Sequence, residues 1–83
     1  AIVVSLDLDS AAEAFAPGVS APQSEGFSPT DLVEICEEAG ASAKVISLGI
    51  FELNPLHDIG GRTARLASTC AFHFLENARD IRL

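Results

Sequence analysis

Two short apolar runs alternate with two segments of helical periodicity along the chain. The first run, AIVVSL, covers residues 1–6, and the second, KVISLGIF, covers residues 44–51. Runs of this kind are typical of strands covered on both faces, as in a parallel sheet. The polarity changes abruptly at Asp7, so we expect the first strand to end near Asp9. Residues 10–27 then predict a long loop, within which residues 11–15 could form one helical turn.

Two helices are predicted after the long loop. Ser28 is a hydroxyl N-cap, Pro29 suits the first helical position and Asp31 falls in the first turn. Gly40 is expected to end this helix, and a second helix is expected over residues 62–78, after the break at Gly60 and Gly61. The residues at helical spacing that form the two apolar stripes are Leu32, Ile35, Cys36 and Ala39, and then Thr63, Ala67, Cys70, Ala71, Phe74 and Ala78.

The predicted order is therefore β-α-β-α, which places the chain in the α/β class. A strand–helix–strand unit is right-handed in nearly all cases and makes its two strands parallel. A sheet of two strands is barely stable alone. In addition, 48% of these 83 residues are hydrophobic, but a chain this short buries only about 60% of the surface that its unfolded form exposes. We expect two strands of a larger sheet, cut from a longer chain, and a homo-oligomer, because open strand edges invite pairing.

The charge balance narrows the classes of partner. Five basic residues stand against twelve acidic ones, giving a formal net charge of -7. Nucleic acid and anionic membranes are disfavoured because both attract Lys and Arg. No stretch approaches the ~20 apolar residues of a membrane span, and no signal peptide is visible. A cytoplasmic protein is expected, with Cys36 and Cys70 as buried free thiols.

Three carboxylates follow the predicted strands. Asp7 and Asp9 end the first strand and Glu52 ends the second. Ligands of open parallel sheets gather at the carboxyl ends of the strands, and extended backbone would point Asp7 and Asp9 to the same side. Clustered carboxylates need a positive neighbour, and their oxygens suit Mn²⁺ or Mg²⁺. The alternative is that the aspartates only cap a turn and that Glu52 is a solvated surface acid.

Three spaced motifs resemble the last third of the ureohydrolases, the family of arginase, agmatinase and formimidoylglutamase. In order along the chain, these motifs are SLDLD at residues 5–9, APGVSAP at residues 16–22 and FELNP at residues 51–55. The resemblance implies a β-α-β-α fragment of a three-layer, parallel-sheet, arginase-like fold. It also implies that residues 1–83 are a single C-terminal segment of a larger catalytic domain.

The resemblance further implies roles for the three carboxylates. Asp7 and Asp9 match two ligands of a centre that holds two Mn²⁺ ions in the intact enzyme, and Glu52 matches the residue that contacts a small amidine or guanidine substrate. The two metals would activate the water that attacks the amidine carbon. The family's other ligands belong to strands outside these residues, so the fragment alone is expected to be inactive and a poor metal binder.

The substrate class is narrowed by the APGVSAP motif and by GRTAR at residues 61–65. Both resemble formimidoylglutamase, which cleaves N-formimidoyl-L-glutamate to L-glutamate and formamide in histidine degradation. The alternatives are agmatinase or another guanidino hydrolase, and a non-catalytic α/β module that associates with itself. Ser20 and His57 are secondary candidates for substrate contact, whereas His73 is expected in packing or at the surface.

Overall fold

The computed structural model describes residues 1–78, and their element order is the predicted one. Strand β1 (Ile2–Asp7) leads into a 3₁₀ turn at Leu8–Ser10, and the long loop ends at helix α1 (Pro29–Ala41). Strand β2 (Val45–Phe51) is followed by a second 3₁₀ turn at Pro55–His57 and by helix α2 (Arg62–Ala78). The α/β class and the β-α-β-α order are confirmed.

The two strands form one parallel sheet. Val4 pairs with Leu48 and Asp7 with Phe51, with an irregularity between Ile2 and Val3. Alternate positions face opposite sides of a strand. One side, which includes Leu6, joins the core beneath the helices. On the other side Val3 is 65% exposed and Phe51 is 50% exposed, so this sheet face is uncovered.

The core lies between the two helices and the inner face of the sheet. Its buried members are Leu6, Ala11, Ala16, Leu32, Cys36, Val45, Leu66, Cys70 and Phe74. Most of the predicted apolar stripes are buried in it or packed beside it, but Ile35 is 41% exposed. Leu66, which the predicted stripe omitted, is buried. Thr63 is fully buried although it is polar. Its hydroxyl accepts a hydrogen bond from the Gly18 amide, which lies beside the candidate site.

Helix α1 begins as predicted and ends later than predicted. The Ser28 hydroxyl accepts the Asp31 amide and the Asp31 carboxylate accepts the Ser28 amide, which forms a capping box. Gly40 does not end the helix, which continues to Ala41 with Ser42 as its C-cap. A Cβ at Gly40 would lie 2.2 Å from the Phe74 carbonyl oxygen. Gly40 is therefore needed for the close approach of the two helices, and the predicted stop is wrong.

The long loop is an ordered, largely non-helical segment. The Ala16 amide donates to the Ala12 carbonyl at 3.1 Å, so the expected helical turn exists only as a single hydrogen-bonded turn. Bridges join Ala11 to Phe27 and Ala12 to Gln23, which folds the loop back on itself. Ala16 and Val19 are buried. The loop is therefore fixed by backbone pairing and by packing.

Both cysteines are free and buried, as predicted. Burial raises the pKa of the Cys70 thiol to about 12, and the neighbouring Cys36 thiol adds to the effect. Burial also raises the pKa of Cys36. The two thiols are thus uncharged near neutral pH and behave as apolar core groups. Within residues 1–78, neither helix has the length and apolar character needed to cross a bilayer.

Candidate functional site

The parallel register brings the acidic ends of both strands to one edge of the sheet. Asp7 is the last residue of β1 and pairs with Phe51, the last residue of β2. Glu52 follows Phe51 directly. The prediction that the strands are parallel neighbours with their acidic ends at the same edge is therefore confirmed.

Asp9 does not continue the extended strand. Leu8–Ser10 form a 3₁₀ turn, so the prediction that extended backbone points Asp7 and Asp9 to the same side is wrong. The buried side chain of Leu8 anchors this turn, and the Ser10 hydroxyl donates to the Asp7 carbonyl at 2.6 Å. Asp7 precedes the turn, but its side chain makes no capping hydrogen bond. The structure therefore offers no capping role for the Asp7 carboxylate.

Glu52 has a backbone conformation that is rare for its residue type. Its φ angle is 77°, and it is the one non-glycine residue with positive φ in the described part of the chain. This left-handed region costs an L-residue with a side chain roughly 1–2 kcal/mol. Strained positions of this kind cluster at active sites and ligand clamps. The conformation marks Glu52 as a candidate independently of the sequence motif.

The loop segment around Gly18 holds the chain that follows Glu52. The Asn54 amide donates to the Gly18 carbonyl at 2.6 Å, and Val19 bridges to Leu53 in an antiparallel sense. The Gly18 amide donates to the Thr63 hydroxyl at 2.8 Å. A Cβ at Gly18 would lie 2.6 Å from the Asp58 Cβ. Only a glycine permits this contact, so the APGVSAP motif shapes the backbone beside Glu52.

Asp58 stabilises the start of α2, directly behind this loop. Its carboxylate accepts the amides of Thr63 at 2.8 Å and Ala64 at 3.0 Å. Burial by itself would raise the pKa of Asp58, but the two amides, the Thr63 hydroxyl and the Arg65 charge lower that pKa below its ordinary value. Neither Asp58 nor the polar role of Thr63 was predicted from the sequence. An acidic residue shortly before a helix was the available signal.

Ser20 and His57, the secondary candidates, line one shallow depression of about 310 Å³ with Glu13 and Ile59. The three main carboxylates are not among the residues that line it. His73 lies elsewhere, where its Nδ1 is 3.1 Å from Glu37 Oε2 and links the two helices. His73 is thus a packing and surface residue, as predicted.

The candidate carboxylates do not form a metal centre by themselves among the described residues. Within residues 1–78, no three His, Cys, Asp or Glu side chains are grouped so that they could hold a metal ion. Asp7, Asp9 and Glu52 share an edge of the sheet without forming such a group. Carboxylate oxygens are nevertheless suitable donors for Mn²⁺. The donor set fits a contribution of two ligands to a centre completed by other residues.

The chain is similar to curated relatives over nearly its whole length. It is 40% identical over 75 residues to formimidoylglutamase of Staphylococcus aureus strain JH9, which covers 90% of this chain and 24% of that protein. The chain thus spans about a quarter of the length of the relatives it matches.

Solved structures give the same result. Formiminoglutamase of Trypanosoma cruzi with Mn²⁺ superposes with a TM-score of 0.83 at 35% identity, over 87% of this chain and 25% of that one. Proclavaminate amidino hydrolase of Streptomyces clavuligerus gives a TM-score of 0.81 at 32% identity, over 93% of this chain and 26% of that one. Arginase of Bacillus caldovelox gives a TM-score of 0.82 at 28% identity, over 87% of this chain and 24% of that one. The arginase fold of this segment is thereby shown.

The sequence profile of the arginase family matches residues 1–76, which is nearly the entire chain. This match spans both strands, helix α1, the loop between Asp9 and Ser28, and all but the last two residues of α2. The chain belongs to the arginase family.

Proposed function

We propose that this chain is the C-terminal segment of the catalytic domain of a manganese-dependent hydrolase that cleaves the C–N bond of a linear amidine. The observation that carries the proposal is the placement of Asp7 and the strained Glu52 at the same edge of two paired parallel strands. That edge is where open α/β sheets bind their ligands. Family membership supplies the reaction class.

Asp7 and Asp9 are the proposed metal ligands. Both carboxylates follow directly from β1, and the turn at Leu8 fixes Asp9 close behind the strand end. When bound, a pair of Mn²⁺ ions supplies Lewis acidity and lowers the pKa of a water molecule. The remaining ligands would come from parts of the domain outside these 83 residues.

Glu52 is the proposed contact of the cationic amidine group of the substrate. An amidinium group is planar and carries N–H donors, so a fixed carboxylate can both neutralise and orient it. The left-handed backbone at Glu52 and the Gly18 loop beside it fix the position at which the Glu52 side chain branches from the main chain. We propose an orienting role for Glu52, which would hold the amidine carbon in position for attack by water.

The substrate proposed first is N-formimidoyl-L-glutamate, in a cytoplasmic enzyme of histidine degradation. It is supported by the identity to formimidoylglutamase over 90% of the chain. A guanidino substrate is the second candidate, because the amidino hydrolase of Streptomyces clavuligerus is 32% identical over 93% of the chain. Turnover of formimidoylglutamate, agmatine and arginine by the intact enzyme distinguishes these candidates.

The site assignment is tested with three variants of the intact enzyme. Asp7→Ala and Asp9→Ala are expected to lose activity together with bound manganese, measured by elemental analysis. Glu52→Gln is expected to retain manganese and to raise KM, because it removes a charge that meets the substrate rather than the metal. Glu76→Gln, an exposed acid on α2, serves as the control. Normal turnover and metal content in the Asp7 and Asp9 variants would defeat the proposal.

A further inference from the structure

The hydroxyl of Thr63 serves the long loop rather than the packing of α2. Thr63 is fully buried in the first turn of that helix, and its hydroxyl oxygen accepts the Gly18 amide at 2.8 Å. A valine has nearly the same shape and would fill the same space, but it offers no acceptor. Because a buried amide without an acceptor is costly, this bond fixes the position of Gly18 relative to the helix.

The first turn of α2 is itself held in place by Asp58. The Asp58 carboxylate accepts the amides of Thr63 and of the next residue, at 2.8 and 3.0 Å. Arg62 Nη1 donates to the Ala14 carbonyl at 3.1 Å, so this turn binds the long loop at two points. A Cβ at Gly18 would lie 2.6 Å from the Asp58 Cβ. The loop and the start of the helix are therefore in direct contact.

The same loop segment holds the chain that follows Glu52. The Gly18 carbonyl accepts the Asn54 amide at 2.6 Å, and Val19 bridges to Leu53. The residue before Glu52 is the last residue of β2 and is paired with β1 in the sheet. The sheet thus holds the backbone before Glu52, and the loop holds the backbone after it.

The backbone conformation of Glu52 depends on both of these attachments. Its φ angle of 77° lies in the left-handed region, and such conformations persist only where the surrounding structure over-determines them. Rotation about the N–Cα bond to negative φ would relieve the strain and would turn the Glu52 side chain with the segment that follows. Since β2 is fixed in the sheet, this rotation requires Asn54 to separate from Gly18. The hydrogen bond between these two residues therefore keeps the Glu52 side chain in its direction.

We propose that Thr63 is a positioning residue for the substrate contact at Glu52 and acts through Gly18 and Asn54. The inference rests on the function proposed above for Glu52. Without the Thr63 hydroxyl, Gly18 loses its acceptor, the loop segment loosens and Glu52 leaves its strained conformation. Its carboxylate is then no longer held where the amidine group binds. Substrate binding weakens, while the proposed metal ligands on the β1 side keep their places.

The kinetics of two Thr63 variants of the intact enzyme test this role. The substrate is the one among formimidoylglutamate, agmatine and arginine that the parent enzyme turns over. Thr63→Val is expected to raise KM about tenfold, with kcat changed by less than about twofold and an unchanged manganese content. Thr63→Ser keeps the hydroxyl and is expected to restore KM to within about twofold of the parent value. Thr69→Val, which removes an exposed hydroxyl bonded within α2, is the control with parent kinetics.

A double-mutant cycle with Glu52→Gln separates positioning of Glu52 from a general loosening of the fold. If Thr63 acts through the Glu52 carboxylate, Thr63→Val changes KM by less than about twofold in the Glu52→Gln enzyme, which has no charge left to misplace. A general loosening would raise KM by the same factor in both enzymes. Asp58→Asn carries the same test if Thr63→Val does not fold. It is expected to raise KM by only about threefold, because the acceptor for Gly18 remains.

The outcomes for the inference and for the proposed function differ. A raised KM in Glu52→Gln with the parent KM in Thr63→Val overturns the inference alone. Equal factors in both arms of the cycle, no recovery in Thr63→Ser, or loss of manganese from Thr63→Val overturns it as well. If Thr63→Val does not fold, the parent KM in Asp58→Asn overturns it. An unchanged KM in Glu52→Gln, or a parent enzyme that turns over none of the three substrates, defeats the proposed function and the inference together.

Discussion

The backbone amide of Gly18 donates a 2.8 Å hydrogen bond to the buried hydroxyl of Thr63, across 45 residues of sequence. The bond fastens the long loop to the first turn of α2. Because the same loop segment pairs with Leu53 and Asn54, a single glycine connects the loop, the helix and the backbone that follows Glu52.

Thr63→Val is expected to destabilise the fold although it preserves the shape of the side chain. The change leaves the Gly18 amide buried without an acceptor, which costs about 1–3 kcal/mol. The free energy of unfolding from urea titration measures the effect. Thr69→Val is the control, because Thr69 is exposed and its hydroxyl donates to a carbonyl of its own helix. Equal stability of the two variants would contradict the role assigned to Thr63.

Gly40→Ala is expected to destabilise the protein, although alanine favours helices by about 1 kcal/mol over glycine. The added methyl group would lie 2.2 Å from the Phe74 carbonyl oxygen, so the helices must separate. Overpacking of this kind costs about 1–3 kcal/mol. Thermal unfolding compares this variant with Ser68→Ala, which lies in an exposed helical position. A stabilised Gly40→Ala protein would show that the helices do not approach so closely.

Glu52→Gly is expected to stabilise the protein and to impair turnover. Glycine adopts positive φ without the steric cost that Glu52 bears, so a gain of about 1 kcal/mol follows. Loss of the carboxylate is expected to raise KM for the amidine substrate. Glu52→Gln separates the two effects, since it keeps the strain and removes the charge. A Glu52→Gly variant less stable than Glu52→Gln would contradict the strained conformation.

The contribution of Asp58 to stability is expected to disappear in acid. Its pKa is lowered in the folded protein, so the ionised carboxylate stabilises the fold above the unfolded value of about 3.9. That stability is lost as the pH falls through the folded pKa. Urea titrations from pH 6 to pH 2.5 are expected to show the stability of wild type and Asp58→Asn converging as the pH falls. A constant difference would contradict this account.

Local sequence patterns were enough to predict most of the fold. The Ser28–Asp31 capping box and the β-branched runs predicted helix α1 and both strands to within about two residues, because these signals act between near neighbours. The largest difference is the end of β1, which was expected near Asp9 and lies at Asp7. Gly40 was misread, since a glycine late in a helical pattern can end the helix or permit close packing, and the choice depends on Phe74. The hydrogen bond between the Gly18 amide and Thr63 could not be predicted either, because the two residues lie 45 positions apart in the sequence.

The candidate site was predicted in outline only. The order of elements and the handedness rule were enough to bring Asp7 and Glu52 to one edge. The 3₁₀ turn at Asp9 was not foreseen; Leu8 is buried within it and the Ser10 hydroxyl closes it by donating to the Asp7 carbonyl. The φ angle of Glu52 has no sequence signature for a glutamate. Family motifs nominate Asp7, Asp9 and Glu52, but only coordinates describe their backbone.

In the larger domain proposed above, the order of β1 would depend on the part that covers the exposed face of the sheet. A layer that covers Val3 and Phe51 in that domain would bury apolar surface, and its detachment would therefore weaken the positioning of Asp7 on β1. A weakening substitution far from the carboxylates would then accelerate amide hydrogen exchange along β1. Such a variant would lose activity because β1 is less rigidly held, although it keeps every proposed catalytic side chain.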